Sequence, residues 1–124
     1  MMKRILVVED EVVTAMSLCD LLRMWGYEVS GPVSDGQAAI NKAISDLPEI
    51  VLIDVKIRGD MDGIETGKQI NSRLGIPVIL MTGYPKHELK DKMKDIPGAQ
   101  YISKPFDLEK LKTMIENGLS IKKI

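Results

Sequence analysis

Four short apolar runs in this chain each end in a residue able to hold a phosphoryl group or a divalent cation. They are Ile5-Leu6-Val7-Val8 before Glu9-Asp10, Ile50-Val51-Leu52-Ile53 before Asp54, Val78-Ile79-Leu80-Met81 before Thr82, and Tyr101-Ile102-Ser103 before Lys104. Carboxylates are the hard oxygen ligands that suit Mg2+, and an aspartate can also serve as nucleophile and form an acyl phosphate. A hydroxyl and an ammonium would then place a donor and a positive charge on a phosphoryl group, whose transfer depends on positioning and on cations at its oxygens. Gathering such groups has a cost: two carboxylates ~4 Å apart, at an effective dielectric of ~20, repel by roughly 4 kcal/mol. A cluster of Glu9, Asp10 and Asp54 therefore demands cations, of which Lys104 supplies one. Strand ends are often closed by Asp or another turn-forming polar residue for local reasons alone. A single such residue reads that way; five at four strand ends read as a site.

The elements that must position these groups follow from period. Residues 5–8, 50–53 and 78–81 are continuous aliphatic runs without polar alternation, the mark of strands buried on both faces of a parallel sheet. Weaker strands are predicted at 28–33 and 99–103. Helical stripes lie between them: Ala15, Leu18, Cys19, Leu22 and Trp25 in the first, Ile40, Ala43, Ile44 and Leu47 in the second, and Leu108, Leu111, Ile115 and Leu119 in the last, which opens near Asp107. Ser34 followed by Gln37, and Asp62 followed by Glu65, have the spacing of helix-opening capping boxes, and Gly26, Gly75 and Gly98 are placed to stop helices. The fourth helix, residues 85–95, has a stripe of only Leu89, Met93 and Ile96 among charged residues, so it is expected to be held least firmly. The order βαβαβαβαβα predicts an α/β sandwich with right-handed crossovers. In such a sheet ligands sit at the carboxyl ends of the strands, which is where all five polar residues fall.

Composition narrows the function classes. The 124 residues, 44% hydrophobic, suit one domain with a packed core and no tail. Net charge is −1 and basic residues alternate with acidic ones, as in Lys90-Asp91-Lys92-Met93-Lys94-Asp95, which argues against direct binding to nucleic acid or an anionic membrane. The four apolar residues before Glu9 are far short of a signal-peptide core or a membrane span, so a cytoplasmic protein is expected. Cys19, the only cysteine, excludes an internal disulfide and sits on a helical stripe as a small core residue. His87, the only histidine, lies on the charged helix as a surface residue without convergent partners. Gly31, Pro32 and Gly36 form no dinucleotide fingerprint.

Glu9-Asp10, Asp54, Thr82 and Lys104-Pro105, in that order and at those intervals, resemble the receiver domain of two-component response regulators. The resemblance runs from Lys3 to the last helix and is closest to stand-alone, chemotaxis-regulator-like domains. It implies a flavodoxin-like, doubly wound, five-stranded parallel sheet in order 2-1-3-4-5 with five helices. It implies that Asp54 is phosphorylated, with Mg2+, by a sensor histidine kinase or phosphotransfer protein, for a downstream protein target. Carried over, Asp10, Asp54 and the backbone carbonyl of Lys56 bind Mg2+, Glu9 acts through water, and Thr82 and Lys104 contact the phosphoryl group. Tyr101 takes the place of the switch aromatic, and the Lys104-Pro105 bond is expected to be cis. The output face would be the fourth helix, fifth strand and fifth helix, and the chain a signalling phosphoacceptor or phosphorelay component, not an enzyme.

Two departures stand out. No Met-Pro follows the phosphoacceptor, and Lys56-Ile57-Arg58-Gly59-Asp60-Met61 puts Asp62-Gly63 one residue later than is commonest. The resemblance implies that Lys56 sits where the family tunes how fast water removes the phosphoryl group, with Tyr84 placed to shield the site, while Lys56 and Arg58 read equally well as a solvated loop. Two other classes on related folds fit less well. An aspartate-nucleophile phosphatase wants a second acid two residues after the nucleophile, where Lys56 stands. A flavin phosphate would be repelled by Glu9-Asp10-Glu11.

Overall fold

The structure, a computed structural model, describes residues 2–83 and 86–121; Tyr84 and Pro85 lie outside them. The elements alternate as the sequence predicts: β1 (Arg4–Val8), α1 (Val12–Met24), β2 (Glu28–Val33), α2 (Gly36–Asp46), β3 (Ile50–Asp54), α3 (Gly63–Leu74), β4 (Val78–Thr82), α4 (Lys86–Met93), β5 (Gln100–Ser103) and α5 (Leu108–Ile121). All pairings are parallel, in the order β2-β1-β3-β4-β5. Among the described residues no helix is long and apolar enough to cross a membrane.

The aliphatic runs are buried on both faces because alternate residues feed two cores. Leu6, Val8, Val51, Ile53, Val78 and Leu80 pack with Ala39, Ile40, Ala43, Ile70 and Leu89 of α2, α3 and α4. Ile5, Val7, Ile50, Leu52, Ile79 and Met81 pack with Leu18, Cys19, Leu22, Leu111 and Ile115 of α1 and α5. Neighbouring strands are paired so that their carboxyl ends finish together: Val8 stands beside Ile53, Asp54 beside Met81, and Thr82 beside Ser103.

Several local expectations are corrected. α2 opens one residue late, with Asp35 rather than Ser34 as N-cap; its carboxylate accepts from the Ala38 amide at 2.8 Å. A carboxylate is the stronger acceptor at a helix N-terminus, and the Ser34 carbonyl is used elsewhere, by Arg58. The buried stripe of α2 is Gly36, Ala39, Ile40 and Ala43. That turns Ile44 outward, 51% exposed, and Leu47, in a left-handed cap after the helix, is 60% exposed. α4 ends at Met93 instead of residue 95, its chain tightening so that the Ile96 amide reaches the Met93 carbonyl and Ile96 is still buried. Leu108 at the start of α5 is exposed, whereas Leu119 near its end is half-buried against the core, next to the buried Gly118. Other expectations hold: Asp62 caps α3 through the Glu65 amide, Gly75 closes it with φ 68, Cys19 is buried, and His87 is exposed. Lys104-Pro105 is cis, as is Gly31-Pro32.

Gly63 sets how closely α3 approaches the site. Its amide donates to the Val55 carbonyl at 2.8 Å, and a Cβ built on it would lie 2.0 Å from the backbone oxygen of Asp54. At Gly118 a Cβ would meet the side-chain tip of Ile50 at 2.3 Å, and that tip can rotate away. Gly63→Ala is therefore expected to cost about 2 kcal/mol or more in urea denaturation, and Gly118→Ala clearly less, because alanine also improves a helix interior. Equal losses would contradict this reading of the α3–β3 contact.

Candidate functional site

β1 delivers Glu9 and Asp10 just past its end, β3 ends on Asp54, β4 ends on Thr82, and Lys104 follows β5. Glu9 and Thr82 are buried, Asp54 is 8% exposed and Asp10 half-buried. The Glu9 amide donates to the Val33 carbonyl at 2.9 Å, prolonging the β1–β2 pairing by one residue and turning its side chain into the site. The Lys104 amide does the same against the Thr82 carbonyl, also at 2.9 Å.

One ammonium holds two of the acids. Lys104 Nζ donates to Asp54 Oδ2 at 2.6 Å and to Glu9 Oε1 at 2.9 Å. The remaining oxygens accept backbone amides, Asp54 Oδ1 that of Lys56 at 3.0 Å and Glu9 Oε2 that of Glu11 at 3.2 Å. One carboxylate oxygen from each of Glu9, Asp10 and Asp54 lies within 4.8 Å of the others. Trans ligands on octahedral Mg2+ are about 4.2 Å apart, so this all-oxygen donor set needs only modest movement to hold that ion. Both oxygens of Glu9 and both of Asp54 are engaged, and the Glu9 side chain is the more deeply buried, 0% exposed against 11%, which leaves it the less accessible of the two to an entering ion. Asp54, Val55, Lys56, Thr82, Gly83 and Lys104 line a cleft of about 230 Å3 that opens over the Asp54 carboxylate. Glu9 and Asp10 form part of a second cleft, of about 380 Å3, between the starts of α1 and α2.

The electrostatics follow from burial and crowding. Burial pushes the Glu9 carboxyl above its ordinary value, the nearby Asp54 adds to this, and the bond from Lys104 opposes it. For Lys104, burial is the largest single influence and favours the neutral amine, but the bonds and charges of Asp54 and Glu9 together overcome it and raise the pKa.

The sequence-derived residues thus fall into two groups. Glu9, Asp10, Asp54 and Lys104 converge, and Lys56 and Thr82 line the same cleft. Tyr101 stands apart, half-buried against the core beneath α3 and α4. Sequence reasoning missed two contributors. Glu11 is the N-cap of α1, accepting from the Thr14 amide at 2.9 Å and from the Thr14 hydroxyl, while its own amide fixes Glu9. The spacing Glu-x-x-Thr was a weak signal for it. The other is the link from Arg58 to Ser34-Asp35, a long-range backbone contact with no local signature.

An aspartate at the central strand end of a doubly wound sheet, flanked by two acids and bonded by a lysine, makes an acidic site of the kind that holds a divalent cation. The chain belongs to the response regulator receiver domain family, whose pattern matches residues 5–116. It is 34% identical over 118 residues to the transcriptional regulatory protein PdtaR of Mycobacterium tuberculosis, covering 95% of this chain and 57% of that protein. It is 29% identical to the sporulation initiation phosphotransferase F of Bacillus subtilis, over 98% of each. Among solved structures, a CheY-like receiver domain protein from Methanospirillum hungatei superposes with a TM-score of 0.87 at 28% identity, covering 99% of this chain and 98% of that one. The receiver domain of a modulated diguanylate cyclase from Desulfovibrio desulfuricans gives 0.90 at 30%, with the same coverage. Receiver domains accept a phosphoryl group on an aspartate and bind Mg2+ at an acidic pocket, and the cluster here has the donors for that ion.

Because the Glu9 pKa is raised, its protonated form is favoured by folding, a contribution present below the unfolded value and lost as pH rises through the folded one. Glu9→Gln should therefore raise the thermal midpoint at pH 7 in Mg2+-free buffer, and the gain should vanish as the pH falls below the ordinary glutamate range, where Glu9 is already protonated. A loss of stability at pH 7 would show that the bond to Lys104 outweighs burial.

Proposed function

We propose that Asp54 is the phosphoacceptor, taking its phosphoryl group from a sensor histidine kinase or a histidine-bearing phosphotransfer protein. The observation that carries this is the Asp54 carboxylate lying beneath a cleft with Lys104 Nζ 2.6 Å from one oxygen. In the transfer an Asp54 oxygen forms a bond to phosphorus as the donor's phosphorus–nitrogen bond breaks, and the electron pair leaves on the donor imidazole. Bound Mg2+ supplies charge neutralisation on the phosphoryl oxygens. Asp10, Asp54 and the Lys56 carbonyl are its assigned ligands, and Glu9, the more deeply buried acid, acts through water. Lys104, held between Glu9 and Asp54, moves its bond to a phosphoryl oxygen, and the Thr82 hydroxyl donates to another.

The proposed output is the surface of α4, β5 and α5. Thr82 continues the strand parity of Val78 and Leu80, which face α3 and α4, and Tyr101 packs on that same core. Among the described side chains of α4, Leu89 alone is buried, so this helix has little apolar area to resist a pull from Thr82. The Tyr101 ring can then trade its half-buried place for a deeper one while its hydroxyl keeps a partner. Val12 and Met16 of α1 are exposed apolar residues lining the cleft that contains Glu9 and Asp10, with Val13 exposed beside them, and this is the surface we assign to the phosphodonor. We place the module in the cytoplasm, where such kinases present their phosphohistidine.

Incubation with acetyl phosphate and Mg2+ should add one phosphate by intact mass, and Asp54→Asn should abolish it; undiminished labelling of that variant at another residue would overturn the assignment. Hydrogen exchange with and without beryllofluoride should change most across residues 82–106. A change centred on α1 and α2, with α4 unaffected, would place the output elsewhere.

A further inference from the structure

We infer that the turn between β2 and α2, Ser34-Asp35, is a positioning element for the metal site, acting through the loop that carries Lys56; the inference rests on the Mg2+ reading above. Residues 55–62 join β3 to α3. The loop is tied to the sheet at its base, where the Val55 amide donates to the Met81 carbonyl at 3.0 Å. Midway, the Arg58 amide donates to the Ser34 carbonyl at 3.3 Å, and Arg58 and Asp35 form an isolated parallel bridge. Asp35 is at the same time the N-cap of α2. The first turn of α2 is in turn seated on α3 and the loop: a Cβ at Gly36 would lie 2.4 Å from Thr66 Oγ1 and 3.0 Å from Met61 Cβ. Ser34 also lines the cleft that contains Glu9 and Asp10. One turn thus borders both arms of the site, the arm with Asp10 and the loop with Lys56, two residues from the bridge.

Mg2+ demands near-octahedral geometry at about 2.0–2.1 Å and tolerates little ligand displacement. Residues that orient ligands without touching the metal typically change affinity about 10- to 100-fold when altered. The brace can be loosened at Gly59 without removing any ligand. Gly59 has φ +95, and a Cβ there would meet Asp35 Cβ at 3.8 Å, an ordinary contact. A side chain at 59 therefore strains the backbone without crowding it, and the loop must shift to relieve the strain. Gly26 is a matched control: it has φ +93, no atom within 4 Å of its Cβ position, and a place before β2 at the edge of the sheet opposite the site.

The test is Mg2+ titration calorimetry on the wild type, Gly59→Ala, Gly59→Asn, Gly26→Ala and Asp10→Ala, each with a thermal midpoint. Gly59→Ala should weaken Mg2+ binding roughly ten-fold. Gly59→Asn should fall closer to the wild type, because asparagine tolerates positive φ better than alanine. Gly26→Ala should lose comparable thermal stability and keep wild-type affinity. Unchanged affinity in Gly59→Ala, or an equal loss in Gly26→Ala, overturns the inference; if Gly59→Ala does not fold, the comparison of Gly59→Asn with Gly26→Ala decides in the same sense. Mg2+ binding indifferent to Asp10→Ala would instead overturn the metal reading itself, and this inference with it.

Discussion

Like charges brought together by topology are the constraint on which the rest of this structure depends. A parallel sheet with β1 between β2 and β3 places the ends of β1 and β3 side by side, and this chain puts Glu9, Asp10 and Asp54 there. Three carboxylates so close are unfavourable unless paired. Lys104 answers part of that need, and it can do so only because β5 pairs with β4 in a register that hands the Lys104 amide to the Thr82 carbonyl. Three carboxylates and one ammonium still leave two negative charges, which a divalent cation matches. The Glu9 carboxyl is raised chiefly by its burial, and the nearby Asp54 adds to this. The site is therefore built for cations and for a group that arrives with them.

On the function proposed above, the same pairing makes the site a sensor. Lys104 is bonded to both Glu9 and Asp54 without a phosphoryl group, and the oxygens of a phosphoryl group on Asp54 would compete for that ammonium and for the Thr82 hydroxyl. A ligand shifts a conformational equilibrium only through unequal interaction with its two states, and here the inequality falls at the ends of β4 and β5. Next to them lies α4, a short helix with a thin buried stripe. On the other side of Asp54, the loop to α3 is tied to the start of α2.

Much of this was legible in the residues. Short aliphatic runs without alternation read as strands covered on both faces, and their ends announced Glu9-Asp10, Asp54 and Thr82, while Lys104 followed a weaker strand. The Asp62 cap was local, set by a side chain and an amide three residues on. What could not be read locally depended on choice or on distance. Ser34 and Asp35 are both good caps, and the decision turned on Arg58 claiming the Ser34 carbonyl. Ile44 and Leu47 fit a helical stripe, yet the small residues Gly36, Ala39 and Ala43 let α2 lie closer on another face. The early end of α4 was hidden because Ile96 is buried from a turn as well as it would be from a helix. The two hydrogen bonds that Lys104 donates to Glu9 and Asp54 join residues 95 and 50 positions apart, beyond any spacing rule.

The most direct test of a single site assembled from four strand ends is the structure of the protein with beryllofluoride and Mg2+. The account predicts beryllium on an Asp54 oxygen, metal bound by Asp10, Asp54 and the Lys56 carbonyl, and fluorines bonded by Lys104 Nζ and the Thr82 hydroxyl. Beryllium on any other carboxylate, or a metal bound without Asp10, would contradict it.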